Sequence, residues 1–216
     1  MVGREQVLHT RFSIQETSVG WQIMSLEDKY ACAELIQAWG LYRDQHRWPE
    51  LLSTFHPEGE IAVSWFRGPF TEFVEQCKRS GPSKHLILPA LVRVAGERAI
   101  AETSVVIIVR QGIEGLAVDM TARARFLDRL ERRDGAWRIL ERAAIYEQDR
   151  LDPVEPSTAF GLVLKASSPT RYPEPYRYMA LRLDAADRPL AEPVHYDGSA
   201  PTIELYARYE AWLAGG

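Results

Sequence analysis

The sequence predicts an α+β fold in which helices pack on one face of a curved antiparallel sheet. Three observations carry this. Apolar residues fall at helical spacing in the stretch that begins at Leu26. Four long β-rich segments with turn signals between them follow, from Lys84 to Gln148. Eight of the 13 prolines then lie beyond Leu151, at positions 153, 156, 169, 173, 175, 189, 193 and 201, too many for a central sheet. The chain is therefore divided into an N-terminal extension (1–23), an α+β domain (24–150) and a Pro-rich C-terminal arm with a terminal helix (151–216).

Ser25 can cap a first helix, and Glu27 and Asp28 suit its positive end. Met24 could itself be the natural start. Tyr30, Ala33, Leu35, Ile36, Trp39 and Gly40 supply the apolar positions of that helix to about Arg43. Trp48–Phe55 reads as a short second helix, with Pro49 in its first turn. His56-Pro57-Glu58-Gly59 reads as a turn, Glu60–Phe66 as a short strand, and Phe70–Arg79 as a third helix ended by Ser80-Gly81-Pro82. The strands are expected at Lys84–Val94, Arg98–Gln111, Leu116–Glu131 and Ala136–Gln148. Asp134-Gly135 between the last two is a hairpin signal. In the arm, Pro175–Leu183 predicts one or two helical turns, and Ser199–Gly215 a capped terminal helix. The arm's Tyr172, Tyr176, Tyr178, Tyr196, Tyr206, Tyr209 and Trp212 call for burial against this subunit or a neighbour.

The chain has 216 residues, 46% hydrophobic and 26% charged, with a net charge of −4. That is room for one good-sized soluble domain, and without a basic excess no nucleic-acid partner is expected. The longest apolar run, Val105–Val109, is strand length, so no membrane span is expected. Met1–Trp21 lacks the apolar core of a signal peptide, which points to the cytoplasm. Cys32 and Cys77 lie far apart without zinc spacing and suit buried, structural roles in a reducing compartment.

No GxxxxGK[ST], strand-linked GxGxxG, GxSxG or HExxH motif occurs. The expectation is cofactor-free acid/base chemistry with no metal. Three ionisable residues stand out. Asp44 ends the first helix, where the dipole opposes an acid; its bland role is a solvated ion pair with Arg43 or Arg47. His85 opens the first long strand on the side of Ile87, Pro89 and Leu91, and is either a satisfied core histidine or a proton shuttle. Arg142 shares its strand face with Leu140, Ala144 and Tyr146, and a cation there needs an anion, either a ligand or Glu131 or Glu141. His46, His56 and His195 are weaker candidates: the first two fall in turns, and His195, like Tyr196, could reach a ligand only if the arm closes a pocket.

The order of elements, with Asp44 ending a helix, Phe55-His-Pro-Glu-Gly59, the His85-led strand and Arg132-Arg-Asp-Gly-Ala-Trp-Arg-Ile139, resembles the SnoaL-like branch of the nuclear transport factor 2-like superfamily over Leu26–Asp149. That branch includes scytalone dehydratase, bile-acid 7α-dehydratases, hexachlorocyclohexane dehydrochlorinase, polyketide cyclases and formaldehyde-releasing lyases acting on lignin-derived compounds. The resemblance implies a conical barrel, its curved sheet wrapped around three helices and an apolar pocket open at one end. It implies an Asp44–His85 acid/base dyad with Arg142 in the same pocket. It departs from the dehydratase pattern where those enzymes carry a tyrosine beside the aspartate or a turn before it: Arg43, Trp39 and Gly40 stand there, with Tyr42 nearby. The Asp-Arg-Asp set of limonene-epoxide-hydrolase-like sites has only a loose echo in Arg123 and Asp119.

The expected function is a cofactor-independent lyase. His85, made more basic by Asp44, would remove a proton from an apolar, ring-containing hydroxylated molecule such as a lignin-type aryl diol or a polycycle, and water, halide or formaldehyde would leave. Arg142 would hold developing charge. Tyr42, Trp39, Trp48, Phe55, Trp65 and Tyr146 would line the substrate site. An isomerase, a non-catalytic binder and a structural subunit like that of ring-hydroxylating dioxygenases are the rivals. A homo-oligomer, dimer or trimer, is expected because the outer sheet face of this fold commonly buries against a partner.

Overall fold

The computed structural model describes residues 26–215. The expectations for the extension 1–23, the Met24 start and the Ser25 cap lie outside the described residues. Helix α1 (Leu26–Asp44) is followed by α2 (Trp48–Ser53), strands β1 (Phe55–Val63) and β2 (Phe66–Pro69), and α3 (Phe70–Cys77). Strands β3 (Lys84–Ile87), β4 (Leu91–Ala95), β5 (Arg98–Ile113), β6 (Leu116–Arg133) and β7 (Ala136–Pro153) follow. The arm carries α4 (Phe160–Ala166), two short 3₁₀ turns, α5 (Arg177–Ala185) and α6 (Ala200–Leu213).

The seven strands form one open sheet in the order β2-β1-β7-β6-β5-β3, with β4 also paired to β5. All pairings are antiparallel except β1 with β7. The β6–β7 hairpin turns at Asp134 and Gly135, with φ of 52° and 76°. Positive φ at both central residues is what the Asp-Gly pair favours. The buried face of the sheet packs on α1 and α3 around Ile36, Trp39, Phe70, Phe73 and Phe126. This is the α+β architecture expected.

Several segments differ from expectation: Glu60–Phe66 is cut by a turn at Ser64 and Trp65, β7 runs past Gln148 to Pro153, and α4 was not foreseen. His56-Pro57-Glu58-Gly59 belongs to β1 instead of a turn, and His56 is buried with its Nε2 at 3.1 Å from the Glu131 carbonyl. The Lys84–Val94 segment splits in two around Pro89, which has no N–H to give to a ladder. Both halves pair with β5, but Ile87 faces Val105 while Leu91 faces Glu102, so one extra residue bulges between them.

The arm packs on its own chain. Tyr176, Met179, Ala180, Leu181, Leu183 and Val194 join the main core. Asp149, on β7, accepts the backbone N–H groups of Tyr178 and Met179 at 2.6 and 2.7 Å, fastening the start of α5. The chain then crosses to the opposite sheet face. There Leu205 and Tyr209 of α6 cover Ala62, Ile100, Leu127, Ala143 and Ile145 as a second apolar layer. The Arg208 guanidinium reaches Glu141, and Arg98 donates to the Trp212 carbonyl at 2.8 Å.

Candidate active site

Ile36, Trp39, Gly40 and Arg43 share the buried face of α1. Gly40 lies against β3: a Cβ there would sit 2.5 Å from Ile87 Cγ1. This close approach brings the last residue of the helix, Asp44, to the second residue of the strand, His85. Asp44 Oδ1 lies 2.7 Å from His85 Nδ1, and Oδ2 accepts the His85 backbone N–H at 2.8 Å. Lys84 Nζ stands 3.1 Å from the same Oδ2. Both side chains are buried, 5% exposed for Asp44 and 9% for His85.

Burial acts to raise the Asp44 carboxyl, but the bonds from the His85 ring and backbone, with that from Lys84, outweigh it and hold the group below its usual range. Asp44 is therefore an acceptor only, so Nδ1 carries the ring proton and Nε2 the lone pair. Burial lowers the His85 imidazole against the upward pull of Asp44, and the charges of Arg43 and Arg142 add to the lowering. The ring is neutral at pH 7. Trp39 meets it edge-on, with ring centroids 5.5 Å apart.

His85 lines a cavity of about 60 Å³ together with Trp39, Trp65, Phe126 and Tyr146, with Val63, Ile107 and Val109, and with Met179 of α5. Of the expected site residues, Asp44 and His85 are brought together, and Trp39, Trp65 and Tyr146 form walls. The Tyr146 hydroxyl is already engaged, donating to Ser64 Oγ at 2.9 Å and accepting the Ser64 N–H at 3.1 Å.

The other expected residues lie elsewhere. Arg142 does not reach the cavity. Its guanidinium is fully buried behind Trp39 and Phe126, 4.5 and 4.3 Å from their ring centroids. Its Nε and Nη2 donate to the two Asp128 oxygens at 2.6 and 2.8 Å. The anion this cation requires is thus a cross-strand neighbour, not substrate. Phe55 stacks on Phe70 in the core at 3.6 Å, Trp48 stacks on His46 at 5.0 Å, and Tyr42 lies under Arg47, 4.5 Å from its ring. His195 is buried with Nε2 3.2 Å from Arg67 Nη2, away from the cavity lining.

The cavity also gathers Arg43 of α1, Arg182 of α5 and Arg188, none of which was expected there. Arg43 had a signal: it follows Ile36, Trp39 and Gly40 on the buried face of one helix. Arg182 and Arg188 had none, because only the tertiary path of the arm brings them in. Cys32 and Cys77 are free and buried, and burial first of all pushes their thiols up, to about 12 and about 11. Among the described residues no group of three His, Cys, Asp or Glu side chains converges as a metal site. No helix there is long and apolar enough to cross a membrane.

The SnoaL-like domain pattern matches residues 24–143, more than half of the chain. The chain belongs to the SnoaL-like domain family. Among curated relatives of this SnoaL-like protein, a PEP2-like protein of Fusarium vanettenii is 27% identical over 201 residues, 84% of each chain. Pea pathogenicity protein 2 of the same fungus is 29% identical over 158 residues, covering 68% of this chain and 65% of that protein. Among solved structures, a hexachlorocyclohexane dehydrochlorinase superposes with a TM-score of 0.51 at 14% identity, over 61% of this chain and 92% of the other. A scytalone dehydratase-like protein of Novosphingobium aromaticivorans gives 0.50 at 14% identity, over 61% and 96%. At such identity these structures speak for the shared fold alone.

Proposed function

We propose that this SnoaL-like protein is a cofactor-independent lyase that removes water, or formaldehyde, from a cyclic or aromatic hydroxylated small molecule. The observation that carries the reading is the Asp44–His85 pair, buried at the wall of an otherwise largely apolar cavity. His85 Nε2 takes a proton from a substrate C–H, and the electron pair of that bond forms the new double bond. The hydroxyl leaves from the adjacent carbon and receives the proton back from His85, departing as water. In the formaldehyde variant the proton comes from a hydroxymethyl O–H. That oxygen forms the C=O of formaldehyde as the carbon–carbon bond breaks. The released electron pair forms a double bond to the neighbouring carbon, and the group leaving that carbon receives the proton from His85. Asp44 holds the imidazolium upright between the two transfers. Such proton transfer contributes roughly 10²–10⁴-fold. Trp39, Phe126 and Tyr146 orient the ring. Aryl diols of lignin type and hydroxylated polycycles are the substrate classes proposed.

A cavity of about 60 Å³ is well below the roughly 150 Å³ of a cavity that admits a benzene ring. A ring enters only as the α5–Arg188 segment moves outward, so the reading includes that displacement. One observation favours an isomerase as second reading: the Tyr146 hydroxyl is tied to Ser64 and is not poised as a separate acid for a leaving group. We place the protein in the cytoplasm, in keeping with its two free buried cysteines. We also propose self-association as a dimer or trimer, supported by exposed Tyr30, Leu86 and Leu91 on the neighbouring elements α1, β3 and β4; a monomer by light scattering would remove that part.

The test is mass spectrometry after incubation with aryl diols, hydroxylated bicyclics and steroids, beside His85→Ala. Loss of water or formaldehyde with wild type alone supports the lyase. A product of unchanged mass but altered retention supports the isomerase. No product from any compound that raises the melting temperature would leave a binding protein.

A further inference from the structure

The cavity that holds His85 is lined by three guanidinium groups and by no carboxylate. Arg43 is 4% exposed, and its Nη1 has no hydrogen-bond partner. Arg182 Nε is likewise buried without a partner. Arg188 lies over the Trp65 ring, 4.6 Å from its centroid. Among the described residues none of the three forms an ion pair, whereas sixteen acidic side chains are paired elsewhere with arginine, lysine or histidine. Ser83 Oγ, on the same wall, is a further buried polar atom without a partner.

Buried charges are otherwise paired, because withdrawing them from water is costly. Here the cations face one another: burial lowers the Arg182 guanidinium and Arg188 lowers it further. The fold has thus gathered positive charge from two distant segments, α1 and the arm, around one space. Planar guanidinium forks match carboxylate oxygens in pairs.

We propose that Arg43, Arg182 and Arg188 form an anion subsite, and that the substrate is a ring compound bearing a carboxylate. The carboxylate is the counter-ion that the three arginines lack. Its ring lies on Trp39 and Phe126, which places it beside His85. The arm therefore supplies substrate contacts as well as covering the cavity. This rests on the cavity being the substrate site; it does not require the reaction to be an elimination.

The test is binding of 2-naphthoate and its neutral analogue 2-naphthamide, by calorimetry and thermal shift, with inorganic sulfate as a ring-free anion. Wild type is expected to bind naphthoate about tenfold or more tighter than the amide, the scale of a hydrogen bond to a charged group. Arg182→Gln, on the arm surface of the cavity, removes that preference, weakening naphthoate binding far more than amide binding. Arg43→Gln does the same if it folds, and Arg182→Gln decides alone if it does not. Equal binding of acid and amide, no binding of naphthoate, or a response to sulfate without one to naphthoate each overturns the proposal. His85→Ala separates the two readings: it abolishes turnover but keeps the preference for naphthoate. A wild type that shows the preference and turns over nothing sinks the lyase and leaves the anion subsite standing.

Discussion

Asp44 grips His85 at two points, one carboxylate oxygen on the ring Nδ1 at 2.7 Å and the other on the backbone N–H at 2.8 Å. The same side chain thus fixes the tautomer of the imidazole and the position of the strand that carries it. Asp44→Asn keeps the shape and loses both the charge and one acceptor. Turnover is expected to fall roughly 10²–10⁴-fold, with far-ultraviolet circular dichroism unchanged. A variant within threefold of wild type would remove the pair from the mechanism.

The same geometry fixes how His85 titrates. Burial holds the folded-state ring below its ordinary value of about 6.5, and Asp44 pulls the other way. Its NMR midpoint is therefore expected below that of a free histidine, and lower again in Asp44→Asn, where the carboxylate's upward pull is gone. A midpoint that rises in the variant contradicts this electrostatic picture.

Gly40 sets the distance between the two residues. Gly40→Ala drives a Cβ into Ile87 Cγ1, 2.5 Å away in the wild-type geometry. The cost is about 1–3 kcal/mol by chemical denaturation, and turnover falls as α1 is pushed from β3. Adding Ile87→Ala removes the obstructing atom, so the double variant is expected to regain activity toward the level of Ile87→Ala alone.

Arg142 and Asp128 are an ion pair with both side chains fully buried. Arg142→Met alone strands a buried carboxylate and is expected to cost about 3–5 kcal/mol. Replacing both, with Asp128→Leu, recovers most of it. Equal losses for the single and double variants would show that the packing of the guanidinium against Trp39 and Phe126, not its charge, is what the fold needs.

Asp149 titrates between fold and solvent in the opposite sense to Asp44. Burial first raises its carboxyl, to about 6, although the Tyr178 and Met179 N–H groups oppose this. A raised folded-state value means that the proton is held more tightly in the fold. Its contribution is present below about 3.8, the unfolded value, and lost as pH rises through about 6. The melting temperature of wild type relative to Asp149→Asn, which can still accept an N–H, is expected to drop across that window. A flat difference from pH 4 to pH 7 would refute the assignment.

Much of this was legible in the residues. Asp44 and His85 each stood out singly, but only the resemblance to the SnoaL-like branch paired them; local pattern left a solvated ion pair and a core histidine open. Alternation put Arg142 on one strand face with Leu140, Ala144 and Tyr146, but offered Glu131 or Glu141, not Asp128, as its protein partner. Counting straight back from the Asp134-Gly135 turn puts Arg142 opposite Leu127. A bulge at Leu140 shifts the register by one and sets it opposite Asp128. Nothing in the local sequence announces that bulge. The walls failed in a similar way: Trp48, Phe55 and Tyr42 were chosen for being aromatic, and each found a ring or cation partner nearer in the chain. Arg182 and Arg188 depend on how a proline-rich arm folds back, which local pattern does not encode.

The placement of α6 bears on how this chain meets others. The outer sheet surface under Leu205 and Tyr209 is the one through which a second copy was expected to dock. Here it is filled by a helix tethered to the same polypeptide. A tethered partner is present at a fixed effective concentration, whatever the concentration of protein. Shielding of that surface therefore survives dilution, and a second subunit seeking it must first compete with a segment that never diffuses away.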